Sequence, residues 1–165
     1  MIKQRRIAEN PLLGVERVDI RGKQQLRRAY TDEELNRLLS VAGRSKLLYL
    51  SATYTGLRLG ELMALLWADV HLSEDRPYLL ARASTTKNNQ KAIVPIHPLL
   101  IPQFQKAKTG AREEDHVFQK SAHPDRQLSK HFQEAGLAKI DATGRKLDFH
   151  SFRYTFATKL ARQGI

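Results

Sequence analysis

Hydrophobic positions organise the chain from about residue 30 onward and hardly at all before it. Within residues 1–29, Asn10-Pro11 interrupts a short helical start, Gly14 and Gly22 punctuate, and no apolar period develops, so the segment reads as a connector without a core. Thr31-Asp-Glu-Glu34 then has the form of a capping box, followed by Leu35, Leu38, Leu39 and Ala42 on one helical face. Residues 46–54 are apolar nearly all round, which predicts a buried helix ended at Gly56. A further helix over about 58–67 is expected to bring Leu62, Leu65 and Leu66 to the same core.

The pattern then changes period. Residues 78–84 and 91–96 read as two strands around the polar stretch Thr85-Thr-Lys87-Asn-Asn-Gln90, which places Lys87 near a hairpin tip. Helices are expected at roughly 98–108, 127–139 and 149–163. In the last, Phe152, Phe156 and Leu160 form an i, i+4, i+8 stripe predicted to be core. The fold class is mainly α with a small antiparallel β-sheet, an α+β domain over 30–165. Neither an internal repeat nor a low-complexity tract is visible.

Charge adds a partner class. The 165 residues carry 28 Lys and Arg against 17 Asp and Glu, a formal net charge of +11, which favours a polyanion. Eight basic and three acidic residues fall in positions 1–30, so the start is a basic arm. There is no cysteine, which excludes disulfides and thiolate metal sites. No apolar h-region follows the basic N-terminus, and no run reaches the roughly 18 apolar residues of a membrane span, so a cytoplasmic location is expected.

Two clusters carry candidate chemistry. His150 and Arg153 stand three residues apart, which puts both on one helical face where they can converge on a phosphate. Arg58 lies in the first turn of a helix opened by Gly56, where bidentate geometry and the helix N-terminus both favour an anion, and Glu61 can orient it. Each residue has an ordinary alternative: a surface Arg at a helix start, an i, i+3 salt bridge, a solvated loop Lys87, a surface His150. His71, His97, His116, His123 and His131 show no metal-ligand spacing and are read as surface residues.

Taken together, Thr55-Gly-Leu-Arg58-Leu-Gly-Glu61-Leu, Trp67-Ala-Asp-Val, Thr86-Lys87-Asn before Val94-Pro95-Ile96, and His150-Ser-Phe-Arg153-Tyr-Thr-Phe-Ala-Thr resemble the phage-integrase family of tyrosine site-specific recombinases, in order and in spacing, over about residues 30–165. The resemblance implies that Arg58 and Arg153 clamp a scissile DNA phosphate, that His150 binds phosphate and transfers a proton, that Lys87 protonates the leaving 5′-oxygen, and that Glu61 supports Arg58. It implies no metal or cofactor, double-stranded DNA as the partner, and a homo-tetramer on paired sites for a full-length protein.

The resemblance is incomplete at both ends. The family's second His or Trp and its nucleophilic Tyr are expected beyond Arg153, where twelve residues remain, and an upstream DNA-binding domain is expected before residues 1–29. Tyr154 is rejected as the nucleophile because one helical step is a turn of about 100°, which takes its hydroxyl off the face of His150 and Arg153. Tyr30, Tyr49, Tyr54 and Tyr78 match no nucleophile motif. The expectation is therefore a catalytic domain unable to complete the reaction by itself. A non-catalytic DNA-binding remnant and a basic RNA-binding protein are the alternatives.

Overall fold

Thr31 and Glu34 do what their spacing predicts. In the computed structural model, which describes residues 26–85, 90–119 and 124–165, the Glu34 N–H donates to Thr31 Oγ1 (3.1 Å) and the Thr31 N–H to Glu34 Oε2 (2.9 Å). This reciprocal cap starts α1 (Asp32–Val41), whose Leu35 and Leu38 are buried. α2 (Lys46–Thr55) follows after a short 3₁₀ turn and ends at Gly56 in the left-handed conformation. Its core face holds Tyr49 and Ala52, while Leu47, Leu48, Leu50 and Tyr54 are only half-buried.

α3 (Leu59–Met63) is shorter than the expected 58–67 helix. The chain leaves it because Leu65 and Trp67 enter extended bonding with a distant segment: the Val117 N–H donates to the Leu65 carbonyl (3.0 Å) and the Trp67 N–H to that of Asp115 (3.0 Å). Such long-range pairing overrides local helical period. A 3₁₀ turn at Trp67–Asp69 leads into β1 (Val70–His71), a strand not expected from sequence because two residues carry no legible alternation.

β1, β2 (Tyr78–Ala81) and β3 (Ala92–Pro95) form an antiparallel sheet in that order, with Leu79 opposite both Val70 and Val94. The two anticipated strands are present but shorter than 78–84 and 91–96. Leu79 and Ala81 face the core, whereas β3 lies at an edge and leaves Ile93 exposed. α4 (Ile101–Lys108) follows a Pro98–Leu100 turn, and α5 (Pro124–Glu134) is displaced from the expected 127–139 because Gly136 takes a positive φ just beyond it.

α6 (Ser151–Arg162) packs on α2. Phe152 is fully buried between Tyr30 (centroids 4.6 Å apart) and Tyr49 (5.2 Å), both stacked near-parallel to it. Burying such a ring contributes on the order of 2–3 kcal/mol. The stripe prediction holds for Phe152 but not for Phe156 and Leu160, which are half-exposed along a groove beside β3. One histidine also departs from expectation: His131 is buried, with Tyr49 Oη 2.9 Å from its Nδ1.

The described part of the anticipated connector, 26–29, is tied to the domain. Arg28 makes two parallel bonds to Glu34, both 2.7 Å. The Tyr30 N–H donates to Thr155 Oγ1 (2.9 Å), so the entering chain is anchored on α6 itself.

Candidate active site

Gly56 is the joint on which the site turns. Its φ of +63° lets α2 stop within one residue, and an added Cβ would stand 2.3 Å from the Phe156 ring, so glycine alone permits α2 and α6 to approach here. The same approach presents the Gly56 carbonyl to α6, where Arg153 donates to it through Nη1.

Two residues further on, Arg58 caps α3. Its backbone N–H donates to Glu61 Oε2 (2.7 Å) and its Nη1 to Glu61 Oε1 (2.9 Å), one carboxylate thus holding both the backbone and the side chain. Glu61 is buried, its side chain 6% exposed, while that of Arg58 is 42% exposed. The charge is therefore aimed outward from a fixed base, an arrangement that suits bidentate recognition of a phosphate.

Arg58, His150 and Arg153 line one cavity of about 230 Å³, together with Leu57, Asp125 and Asp148. Arg58 and Arg153 also line an adjoining groove of about 450 Å³, whose lining includes Gln90 and Lys91 just before β3. Of the residues singled out from sequence, the structure brings together Arg58, Glu61, His150 and Arg153. Lys87 lies outside the described residues.

His150 immediately precedes α6 and is exposed, and partial desolvation holds its pKa below the ordinary histidine value, reinforced by Arg27, Arg153 and Arg58 and opposed by Asp148. Asp148 begins the helix: its Oδ1 accepts from the Ser151 N–H (3.2 Å) and its own N–H donates to Ser151 Oγ (3.1 Å). Sequence reading missed Asp148 and Asp125. For Asp148 a signal was available, the D-x-x-S spacing of a helix start.

The five tyrosines are all described, and none lines either cavity. Tyr30 and Tyr49 are core residues, and Tyr78 stacks on His71. Tyr54 lies against His97, with the Lys159 ammonium above its ring. Tyr154 is 45% exposed, and its ring centroid lies 5.7 Å from that of His150, so it leaves the cavity but stays beside the imidazole. That proximity comes from the i, i+4 relation, which the argument from Arg153 overlooked. Among the described residues no group of three His, Asp or Glu side chains is arranged to hold a metal ion.

A helix-rich domain with a three-stranded antiparallel sheet thus brings two arginines from distant segments to the edge of one cavity. The sequence matches the Phage integrase family over residues 28–165, and the chain belongs to that family. It is 27% identical over 173 aligned positions to a XerC-like tyrosine recombinase of Caldanaerobacter subterraneus subsp. tengcongensis, covering 82% of this chain and 44% of that protein. The fold is similar to the XerA recombinase (TM-score 0.67, 23% identity, 90% of this chain and 55% of that one). It is equally similar to a lambda integrase dimer bound to a core site (TM-score 0.67, 20% identity, 98% of this chain and 61% of that one). The chain spans less than half the length of the curated relatives it matches. No helix of the described residues is long and apolar enough to cross a membrane.

Proposed function

We propose that this chain carries the phosphate-activating part of a tyrosine recombinase, which cuts and rejoins duplex DNA through a covalent protein–DNA phosphodiester. The observation that carries the reading is the shared cavity of Arg58, His150 and Arg153, three groups from two distant segments brought together by the Gly56 turn. Attack of a hydroxyl on a phosphodiester builds negative charge on the non-bridging oxygens, and positioned guanidinium groups stabilise it.

In this reading Arg58 and Arg153 bind those oxygens. Neutral His150 takes the proton of the attacking hydroxyl, and its lowered pKa favours that form. Lys87 protonates the departing 5′-oxygen; Gln90 and Lys91, close to it in sequence, line the groove shared with the two arginines, which supports the assignment. Glu61 keeps Arg58 aimed. The nucleophile is none of the five tyrosines in this sequence, since all stand off the cavities, and the working assembly is a homo-tetramer on paired sites in which a further segment supplies it.

Binding to labelled duplex DNA across a salt series tests the clamp. Arg58→Ala and Arg153→Ala should each lower affinity and flatten the salt slope by roughly one unit. Unchanged slopes for both would refute it. A nicked suicide duplex tests the nucleophile assignment, and an adduct mapped to Tyr154 or another of the five would overturn it.

The tyrosine positions also favour a second reading, a DNA-binding protein that occupies recombination sites without cutting. Failure of the chain to cleave when mixed with an active relative on the same duplex would select it.

A further inference from the structure

Arg27 stands one residue before the matched family span, on the stretch where the entering chain meets the loop that launches α6. The Lys146 N–H donates to the Leu26 carbonyl (2.8 Å) and the Arg28 N–H to the Lys146 carbonyl (3.2 Å), making an isolated parallel bridge between Arg27 and Lys146. From that fixed backbone Arg27 Nε donates to Asp148 Oδ2 at 2.7 Å, and Lys146 Nζ lies 3.3 Å from the same oxygen. The other carboxylate oxygen is the one that begins α6 at Ser151, and the Tyr30 hydroxyl donates to the Asp148 carbonyl (3.1 Å). One carboxylate therefore joins the entering chain, the 146–150 loop and the helix that carries Arg153.

We propose that Arg27 is a positioning residue of the phosphate site, fixing the start of α6 through Asp148 and setting the electrostatic field at His150. An exposed ion pair on its own contributes little. This one differs because the Asp148 side chain is only 22% exposed and both its oxygens are committed. Arg27 spends only Nε on it, with no hydrogen bond from Nη1 or Nη2 to another described residue, and its side chain is 37% exposed.

Among the described residues, the charged groups and rings around His150 are Arg27 from the entering chain, Asp148 and, through it, Lys146 from the loop, Arg58 at the start of α3, Asp125 at the start of α5, and Arg153 with the Tyr154 ring on α6. After desolvation, Arg27 is the largest influence lowering the His150 pKa, ahead of both clamp arginines, and Asp148 opposes it. A neutral imidazole is the proton-accepting form, and at that single point the inference rests on the recombinase reading.

The experiment is an NMR titration of ring-labelled histidines in the full chain without DNA, with His150→Gln used to assign the His150 signal. Arg27→Gln keeps an N–H donor for Asp148 but removes the charge, and it should raise the His150 midpoint. Asp148→Asn keeps a helix-capping side chain but removes the anion, and it should lower the midpoint. Arg27→Lys should leave it near the wild-type value. Opposite shifts cannot come from mere loosening of the helix start, which would move both variants the same way. Shifts of the same sign, or an unmoved midpoint in Arg27→Gln, would overturn the proposal. DNA affinity is measured separately: a responsive His150 with no DNA binding sinks the recombinase reading alone, and retained DNA binding with an unresponsive His150 sinks only the role of Arg27.

Discussion

Arg153 and Gly56, 97 residues apart along the chain, are bonded directly, the guanidinium donating to the glycine carbonyl. The bond forms only because α6 lies against a residue without a side chain, and the Phe156 ring occupies the space a Cβ would take. The backbone turn that ends α2 therefore also sets where the Arg153 guanidinium stands.

Gly56→Ala is expected to destabilise the domain by on the order of 2–4 kcal/mol, the sum of a left-handed backbone penalty and overpacking against Phe156. Urea unfolding measures it. In the Phe156→Ala background the overpacking part should disappear, giving a coupling between the two sites of about 1 kcal/mol or more. Additive losses would show that the contact with Phe156 carries no cost.

Glu61 holds Arg58 by two bonds, so Glu61→Ala should cost roughly 1–2 kcal/mol of stability through the lost cap and ion pair. It should also flatten the salt dependence of DNA binding nearly as much as Arg58→Ala, by up to about one unit, because a freed Arg58 spends entropy to reach a phosphate. An intact salt slope in Glu61→Ala would mean that Arg58 aims itself.

Burial holds the His131 pKa below its ordinary value, so the unfolded chain takes up a proton first as pH falls. Its contribution makes the protein lose stability as pH drops below about 6.5. His131→Gln should flatten that limb, and His150→Gln should flatten it independently, since both shifts have the same sign. The partner behaves oppositely. Burial pushes Tyr49 up to about 12, so the folded state keeps a proton the unfolded chain releases, and stability should also fall above about pH 10. Denaturant midpoints over this range test both limbs, and a flat profile between pH 5 and 7 would contradict the first.

Arg28 joins two bonds to Glu34 with a 3.2 Å approach of its Nε to Asp141, and all three side chains are less than one fifth exposed. Arg28→Ala removes the cation shared by two partly buried carboxylates, of which Asp141 keeps Arg145, and should cost roughly 2 kcal/mol. The hydrogen bond from Arg28 is the main cause of the lowered Glu34 pKa, so wild type should lose this stabilisation as pH falls below about 4.3 while the variant loses less. Parallel acid-unfolding curves for the two proteins would refute the coupling.

Much of the fold could be read where a local rule and the tertiary contacts agree. The Thr31–Glu34 cap, the stop at Gly56 and the core position of Phe152 all follow from chemistry within a few residues. The readings that failed lie where a distant segment competes. α3 ends early because Leu65 and Trp67 bond to residues near Val117, and His131 is buried because Tyr49 offers its Nδ1 a partner across the core. Phe156 and Leu160 keep helical period with Phe152, yet they line a groove, because helical period alone does not specify how many neighbours surround a helix.

By itself the sequence determined which residues share a helical face or a helix start. The i, i+3 spacing of His150 and Arg153 and the placing of Arg58 at a helix start are consequences of helix geometry, and the net charge of +11 follows from composition. Only the tertiary structure decided that these residues share one cavity, that Arg153 bonds to the Gly56 carbonyl, and that Arg27 pairs with Asp148 beside His150. The physical reason is range: caps and helical faces are set within one or two turns of chain, whereas the field at a site is summed over every charge that folding brings near it.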